Sequence, residues 1–280
     1  MHTQDPEALR GLPIGVFDSG VGGLTVLRAL LELLPGESYC YLGDTARLPY
    51  GTKSPDSVVR YALQSSRHLV ERGVKLLVVA CNTASSVALP ALEAAYPGLP
   101  VVGVVRPGAR AGCRLNANGR MAVVATEATV RGGAYQRAVL ELCPEMRVEA
   151  EPCSLFVALA EEGWTGGELV EAIVRRSLAP LLDRFGQEPP GSLILGCTHF
   201  PVLAGAIRNV LGPEVEVIDS AATTAAEVRG ELAGRGLLRG HEGEGAVRFL
   251  ATDGAERFAR VGSIFLGREL APGDVELVDL

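Results

Sequence analysis

Lysine is nearly absent: Lys53 and Lys75 are the only two in 280 residues. Neither sits in a context that marks a Schiff-base residue, so pyridoxal-phosphate chemistry is not expected. No Lys/Arg run is long enough to follow a phosphate backbone, and 33 acidic against 26 basic residues leave a net charge of −7. A nucleic-acid partner is not expected. No stretch reaches the roughly 18 consecutive apolar residues that span a bilayer, and the opening residues 1–11 are polar, without the apolar segment of a secretory signal. No membrane partner is expected, and the cytoplasm is the expected location. The six cysteines (Cys40, Cys81, Cys113, Cys143, Cys153 and Cys197) include no CxxC pair, which argues against a disulfide framework, dithiol redox chemistry and a zinc knuckle. Low-complexity segments are also missing.

What is present is hydrophobic patterning. Nearly half the residues are hydrophobic, and short apolar runs alternate with helical-period stretches, the pattern of a parallel sheet covered by helices. The fold class is α/β. Strands are expected at 13–17, 38–42, 75–80, 100–105, 120–125, 147–151, 192–196, 215–218 and 246–251. A helix is expected over 24–34, with Leu24, Leu27, Leu31 and Leu34 on one stripe and a stop at Pro35-Gly36. Another should start with Ser54 as N-cap and Pro55 in its first turn, ending before Gly73.

Two segments resemble each other: "LLVVACNTASSVALPAL" and "SLILGCTHFPVLAGAI" each run from a buried strand through a small residue and Cys to small polar residues and an apolar helix. "GVFDSGVGG" and "AVVATEATV" form a looser pair, matching Asp18 with Thr126. The chain therefore reads as two pseudo-symmetric α/β domains with mostly parallel sheets, facing each other across a cleft that would hold the site. The expected division is residues 1–102 plus 210–280 in one domain and 103–209 in the other.

In parallel sheets, ligands lie at the carboxyl ends of the strands. Those positions are polar here: Asp18-Ser19, Asp44, Cys81-Asn82-Thr83, Thr126, Cys197-Thr198-His199 and Asp219-Ser220. Most free cysteines simply pack as small hydrophobes, which suffices for Cys40, Cys113, Cys143 and Cys153. Cys81 and Cys197 differ, because each ends a strand, precedes small polar residues and starts a helix whose N-terminus should draw the thiol pKa down. Inverting a tetrahedral carbon by proton transfer needs a base on one face and an acid on the other, and one thiol from each half supplies that pair without a cofactor. His199 and Asp18 could each hydrogen-bond a thiol or a substrate ammonium. Cys197 and His199 as metal ligands lack further ligands at zinc spacing, so no metal is expected. The glycines of "DSGVGGL" fit neither GxGxxG nor a Walker loop; they suit a tight turn or a carboxylate held at a helix start.

At these residues the sequence closely resembles the glutamate racemases of the aspartate/glutamate racemase superfamily, over nearly its whole length. The motifs are "FDSGVGGLTVL" (17–27), "YLGDTARLPYG" (41–51), "VVACNTAS" (78–85), "PVVGVVRPGARA" (100–111), "ATEATVRGGAY" (125–135), "CSLFVALAEEGW" (153–164), "LILGCTHFPVL" (193–203) and "VIDSA" (217–221). The resemblance implies a cofactor-free enzyme that binds glutamate and supplies D-glutamate to peptidoglycan synthesis, with a homodimer expected. It makes Cys81 the base toward D-glutamate and Cys197 the base toward L-glutamate, assisted by Asp18 and His199. Ser19, Pro49, Tyr50, Gly51, Asn82, Thr83, Thr126 and Thr198 match substrate-contacting positions, and Glu161 or its neighbour Glu162 matches an acidic position linked to catalysis. No long extension precedes the first strand, so activation by cell-wall precursors, a trait of longer members, is not expected. Arg106 stands where many members carry an acidic residue, and Ser154 and Ala158 where prolines are usual.

Three other readings bear on the same residues. A related racemase or decarboxylase would act on aspartate or a malonate-type acid, although a single-thiol decarboxylase needs only one of the two cysteines. A two-domain binding protein would trap a small acid without chemistry, but that class is usually exported. Thiol redox chemistry would want a CxxC.

Overall fold

The computed structural model describes residues 6–240 and 243–280; the first five residues of the polar opening segment lie outside them. Among the described residues ten strands form two all-parallel sheets. They are β1 (Ile14–Asp18), β2 (Tyr39–Gly43), β3 (Leu76–Val79), β4 (Val101–Gly103), β5 (Arg120–Ala125), β6 (Arg147–Pro152), β7 (Ser192–Gly196), β8 (Glu216–Asp219), β9 (Val247–Ala251) and β10 (Val275–Leu277). One sheet has the order β10-β9-β2-β1-β3-β4 and the other β6-β5-β7-β8.

The two orders share a pattern. Each sheet steps from its first strand to one neighbour and then crosses to the other side, so that β2-β1-β3-β4 matches β6-β5-β7-β8. The repeat read from the sequence thus has a topological counterpart: β3 with its Cys81 corresponds to β7 with its Cys197, and β1 with Asp18 to β5 with Thr126. A reversal of strand order leaves a crevice at the carboxyl ends of the central strands, and each half places a cysteine there.

The same matching corrects the expected return to the first domain near Asn209. β8 pairs with β7, Leu193 opposite Val217 and Leu195 opposite Asp219, so the second sheet continues to Asp219. The helix Ser220–Gly234 then packs against both Leu24–Leu33 of the first half and Val105–Leu115 of the second. β9 and β10 add to the free β2 edge of the first sheet. β10 escaped the sequence reading because it is three residues long with two of them exposed. The strand expected over 100–105 stops at Gly103, since Val104 already has helical backbone angles and helix Val105–Leu115 follows. Val104 and Val105 are buried on either side of that change, so hydrophobicity alone could not locate it.

Both faces of the first sheet are covered. Ile14 and Val16 of β1 pack with Leu24, Leu27 and Leu30 on one side, while Phe17 packs with Val58, Ala62 and Leu69 on the other. These strands read as unbroken apolar runs because both of their faces are buried. Leu24–Leu33 presents Leu24, Leu27 and Leu30 to the sheet. The helix Pro55–Glu71 starts as expected, with the Ser54 side chain accepting from the Ser57 backbone N–H, and the chain leaves it through Gly73 at φ +77°. Lys75 is buried against Glu37, Nζ to Oε2 2.5 Å, and also donates to the carbonyls of Arg10 and Leu237. Its amine therefore serves the packing of the first half. Arg106, Ser154 and Ala158, the departures from the family pattern, are all exposed.

Candidate active site

Because the strands of each sheet run parallel, their carboxyl ends gather polar residues on one side. Ser19, Pro49, Tyr50, Gly51, Cys81, Asn82 and Thr83 from the first half meet Thr126, Cys197, Thr198 and His199 from the second around a single cavity, with Val157. Both thiols and eight of the nine positions expected to bind substrate line it, Asp18 being the exception. Asp18 does not reach its surface: it is fully buried, Oδ2 accepting from the Gly20 N–H at 3.0 Å while Oδ1 has no partner among the described residues.

The two thiols have opposite surroundings. Cys81 caps the helix Asn82–Val87, its sulfur accepting from the Ala84 N–H at 3.5 Å and its S–H pointing to Ser19 Oγ at 3.5 Å. That six-residue helix does not draw its pKa down as expected. Burial, reinforced by the negative charge of Asp18, pushes the thiol up to about 12, so Cys81 keeps its proton at neutral pH in the ligand-free protein. Cys197 instead faces His199, Sγ to Nδ1 3.9 Å. An imidazolium at that position can stabilise negative charge on sulfur or return a proton to it.

His199 is held in its charged form. Burial would lower its pKa, but the Cys197 sulfur, the Glu161 carboxylate and the charge of Asp18 outweigh it and lift the group to about 10. Nε2 donates to Glu161 Oε1 at 3.1 Å, and Arg257 Nη2 donates to Glu161 Oε2 at 2.7 Å. The bond from His199 in turn lowers the Glu161 pKa. Of the two adjacent acids, Glu161 bonds His199, whereas Glu162 is exposed. Replacing Glu161 by Gln removes one of the contacts that keep His199 protonated, so the imidazolium is lost at lower pH. The alkaline fall of kcat/KM is then expected to move down by about one pH unit, measured between pH 6 and 11; an unmoved limb would separate Glu161 from the chemistry.

The remaining polar groups are fixed in place. Tyr50 donates to Asp44 Oδ2 at 2.5 Å, and Asp44 also accepts from Arg47 Nε at 2.6 Å and Thr252 Oγ1 at 3.0 Å, which orients the 44–51 loop. Tyr135 donates to Asn82 Oδ1 at 2.7 Å, leaving buried Asn82 Nδ2 unpartnered among the described residues. Thr83, Thr126 and Thr129 form a triangle of hydroxyls with edges of 3.0, 3.1 and 3.3 Å that ties one half to the other. The glycine-rich loop makes the same kind of junction. Thr25 Oγ1 donates within 2.9 Å of the Gly22 carbonyl and 3.1 Å of the Thr198 carbonyl, and Gly22 itself lies directly against His199.

Sequence reasoning missed Arg257, Tyr135 and Thr129. Arg257 lies 96 residues from Glu161 in the ordinary amphipathic helix Ala255–Leu266, with no local signal. Thr129 and Tyr135 fall inside the quoted "ATEATVRGGAY" motif; Thr129 is one turn from Thr126, whereas Tyr135 belongs to the next helix, beyond Gly133, and carried no signal. No group of three or more His, Cys, Asp or Glu among the described residues could hold a metal ion, and no helix among them is long and apolar enough to cross a membrane.

The fold and the sequence find their counterpart in known proteins. Residues 14–228 match the Asp/Glu/hydantoin racemase family model, and the chain belongs to that family. A glutamate racemase of Geobacter metallireducens is 48% identical over 267 residues, covering 95% of this chain and 96% of that one. A glutamate racemase isoform of Bacillus anthracis superimposes with a TM-score of 0.90 at 36% identity, over 97% of this chain and 98% of the other. The glutamate racemase of Francisella tularensis, solved with D-glutamate, gives 0.87 at 34% identity over 96% and 98%.

Proposed function

We propose that the protein is an isomerase that interconverts L- and D-glutamate by proton transfer between Cys81 and Cys197, without a cofactor. The observation that carries this reading is the pair of thiols, one from each half, lining one cavity with opposite electrostatic partners. With L-glutamate bound, the Cys197 thiolate removes the Cα proton while the Cys81 thiol delivers its own to the opposite face. Cys81 is then the thiolate and Cys197 the thiol, the state that acts on D-glutamate. His199, held charged by Glu161, balances the charge at Cys197, and Asp18, buried out of contact with the cavity, would act on the substrate ammonium through its charge alone. Asn82 Nδ2 and the Thr83, Thr126 and Thr198 hydroxyls offer donors for the two carboxylates. The D-glutamate would feed peptidoglycan synthesis in the cytoplasm, and a homodimer is the assembly we expect.

Circular dichroism of D- and L-glutamate beside D- and L-aspartate, with no pyridoxal phosphate added, tests the reading. Glutamate should be racemised far faster; equal or faster turnover of aspartate would overturn it.

A further inference from the structure

The segments that line the catalytic cavity do not end there. Beyond Gly51 the chain continues through Thr52, Lys53, Ser54 and Pro55; beyond Thr83, through its helix to Val87; beyond Thr126, to Ala128, Arg131 and Gly132. These outer stretches wall a second space of about 980 Å³, against about 330 Å³ for the catalytic cavity, both volumes including solvent at the mouth, and Thr83 lines both. Where the two linings meet, the Thr83 hydroxyl lies 3.0 Å from that of Thr126, and Gly51 packs so closely on Thr126 that a Cβ there would fall 2.8 Å from the threonine.

The charges of the outer space suit a dianion. Lys53 is half-buried in its wall, and its ammonium has no ion pair or hydrogen bond among the described residues. Arg131 adds a second cation, partly neutralised by Glu127 at 2.7 Å. No carboxylate among the described residues lines this wall. A cavity beside Glu161 is by contrast lined by Glu161 and Asp253, with the cation Arg257 already bonded to Glu161. On a protein of net charge −7, a dicarboxylate approaches most favourably where local charge is positive.

We propose that the space beside Lys53 is the entrance by which the dicarboxylate substrate reaches the two thiols, with Lys53 the charge that draws it in. This rests on the glutamate reading above. Lys53 touches neither thiol, so it acts on substrate uptake and leaves the proton transfers alone.

The test compares the wild type with Lys53→Gln and Lys53→Arg, measuring kcat and KM separately for L- and D-glutamate at low and high salt. Lys53→Gln should raise KM about 3- to 10-fold by the same factor in both directions, with kcat unchanged, and 1 M salt should erase the difference by screening. Lys53→Arg should keep the wild-type KM. An unchanged KM for Lys53→Gln at low salt, or a loss of kcat with KM unaltered, would overturn the proposal. A second variant, Ala128→Trp, should lower kcat/KM about 10-fold by crowding the passage at an unaltered thermal midpoint; wild-type kcat/KM in that folded variant would place the entrance elsewhere. Either failure leaves wild-type racemisation intact, whereas a wild type that does not racemise glutamate would sink the functional reading itself.

Discussion

Cys81→Ser and Cys197→Ser are each expected to lower kcat/KM for glutamate by about 10³-fold or more while leaving the thermal midpoint near that of the wild type. A hydroxyl fits the thiol's space but is a far weaker acid, so it neither becomes the base nor yields its proton near neutral pH. The two enantiomers have equal free energies, and the equilibrium constant is therefore one. Each variant must lose kcat/KM equally in both directions, whichever sulfur it lacks. That equality serves as an internal control on the assay. Cys40 and Cys153 are buried within hydrophobic clusters, and their serine variants should cost stability more than turnover. Near wild-type racemisation by Cys81→Ser or Cys197→Ser would remove that residue from the mechanism.

Gly22→Ala should be nearly as damaging, although Gly22 carries no reactive group. An added Cβ would fall 2.4 Å from His199 Nδ1 and 2.5 Å from Thr198 Oγ1, too close for any real contact. The imidazole would have to leave its place beside Cys197, or the halves would have to part. Displacements near 1 Å at reacting groups cost on the order of 10²-fold, and a fall of that size in kcat is expected. Gly20→Ala in the same loop is the control. Its Cβ would meet nothing nearer than Leu48 Cδ2 at 3.5 Å, an ordinary contact, so most activity should survive. Equal effects of the two substitutions would mean that the loop tolerates or resists side chains generally, and would detach Gly22 from His199.

The role of Gly22 illustrates what was legible in the sequence. The order of apolar runs announced a parallel α/β fold, and the polar residue after each run marked where strands deliver chemistry. Cys81, Cys197, Asn82, Thr83, Thr126, Thr198 and His199 were therefore visible before any coordinate. The glycines of "DSGVGGL" were visible too, but only as a turn or an anion cradle. Their use against His199 depends on how two halves separated by more than 170 residues dock, as the Thr25–Thr198 bond shows, and periodicity carries no such information. Arg257 was hidden for the same reason. The thiol pKa was misjudged because a helix start can be read from sequence, whereas the burial and the Asp18 charge that overcome it at Cys81 belong to the folded cavity. The boundary near Asn209 failed because a repeat is recognised by its most distinctive strand, β7, and its plain fourth strand, β8, was left outside.

The central claim is that two sulfurs, on opposite faces of Cα, do the work that one mobile base could also do. Racemisation of L-glutamate in deuterium oxide, stopped at low conversion, tests it most directly by mass spectrometry of the separated enantiomers. The acid on the far face exchanges with solvent before each turnover, so nearly all D-glutamate formed should carry deuterium at Cα while the remaining L-glutamate stays largely protiated; the reverse reaction should mirror this. Substantial protium in the early product from both directions, with deuterium entering the recovered substrate, would contradict the two-thiol account even if both cysteines proved essential.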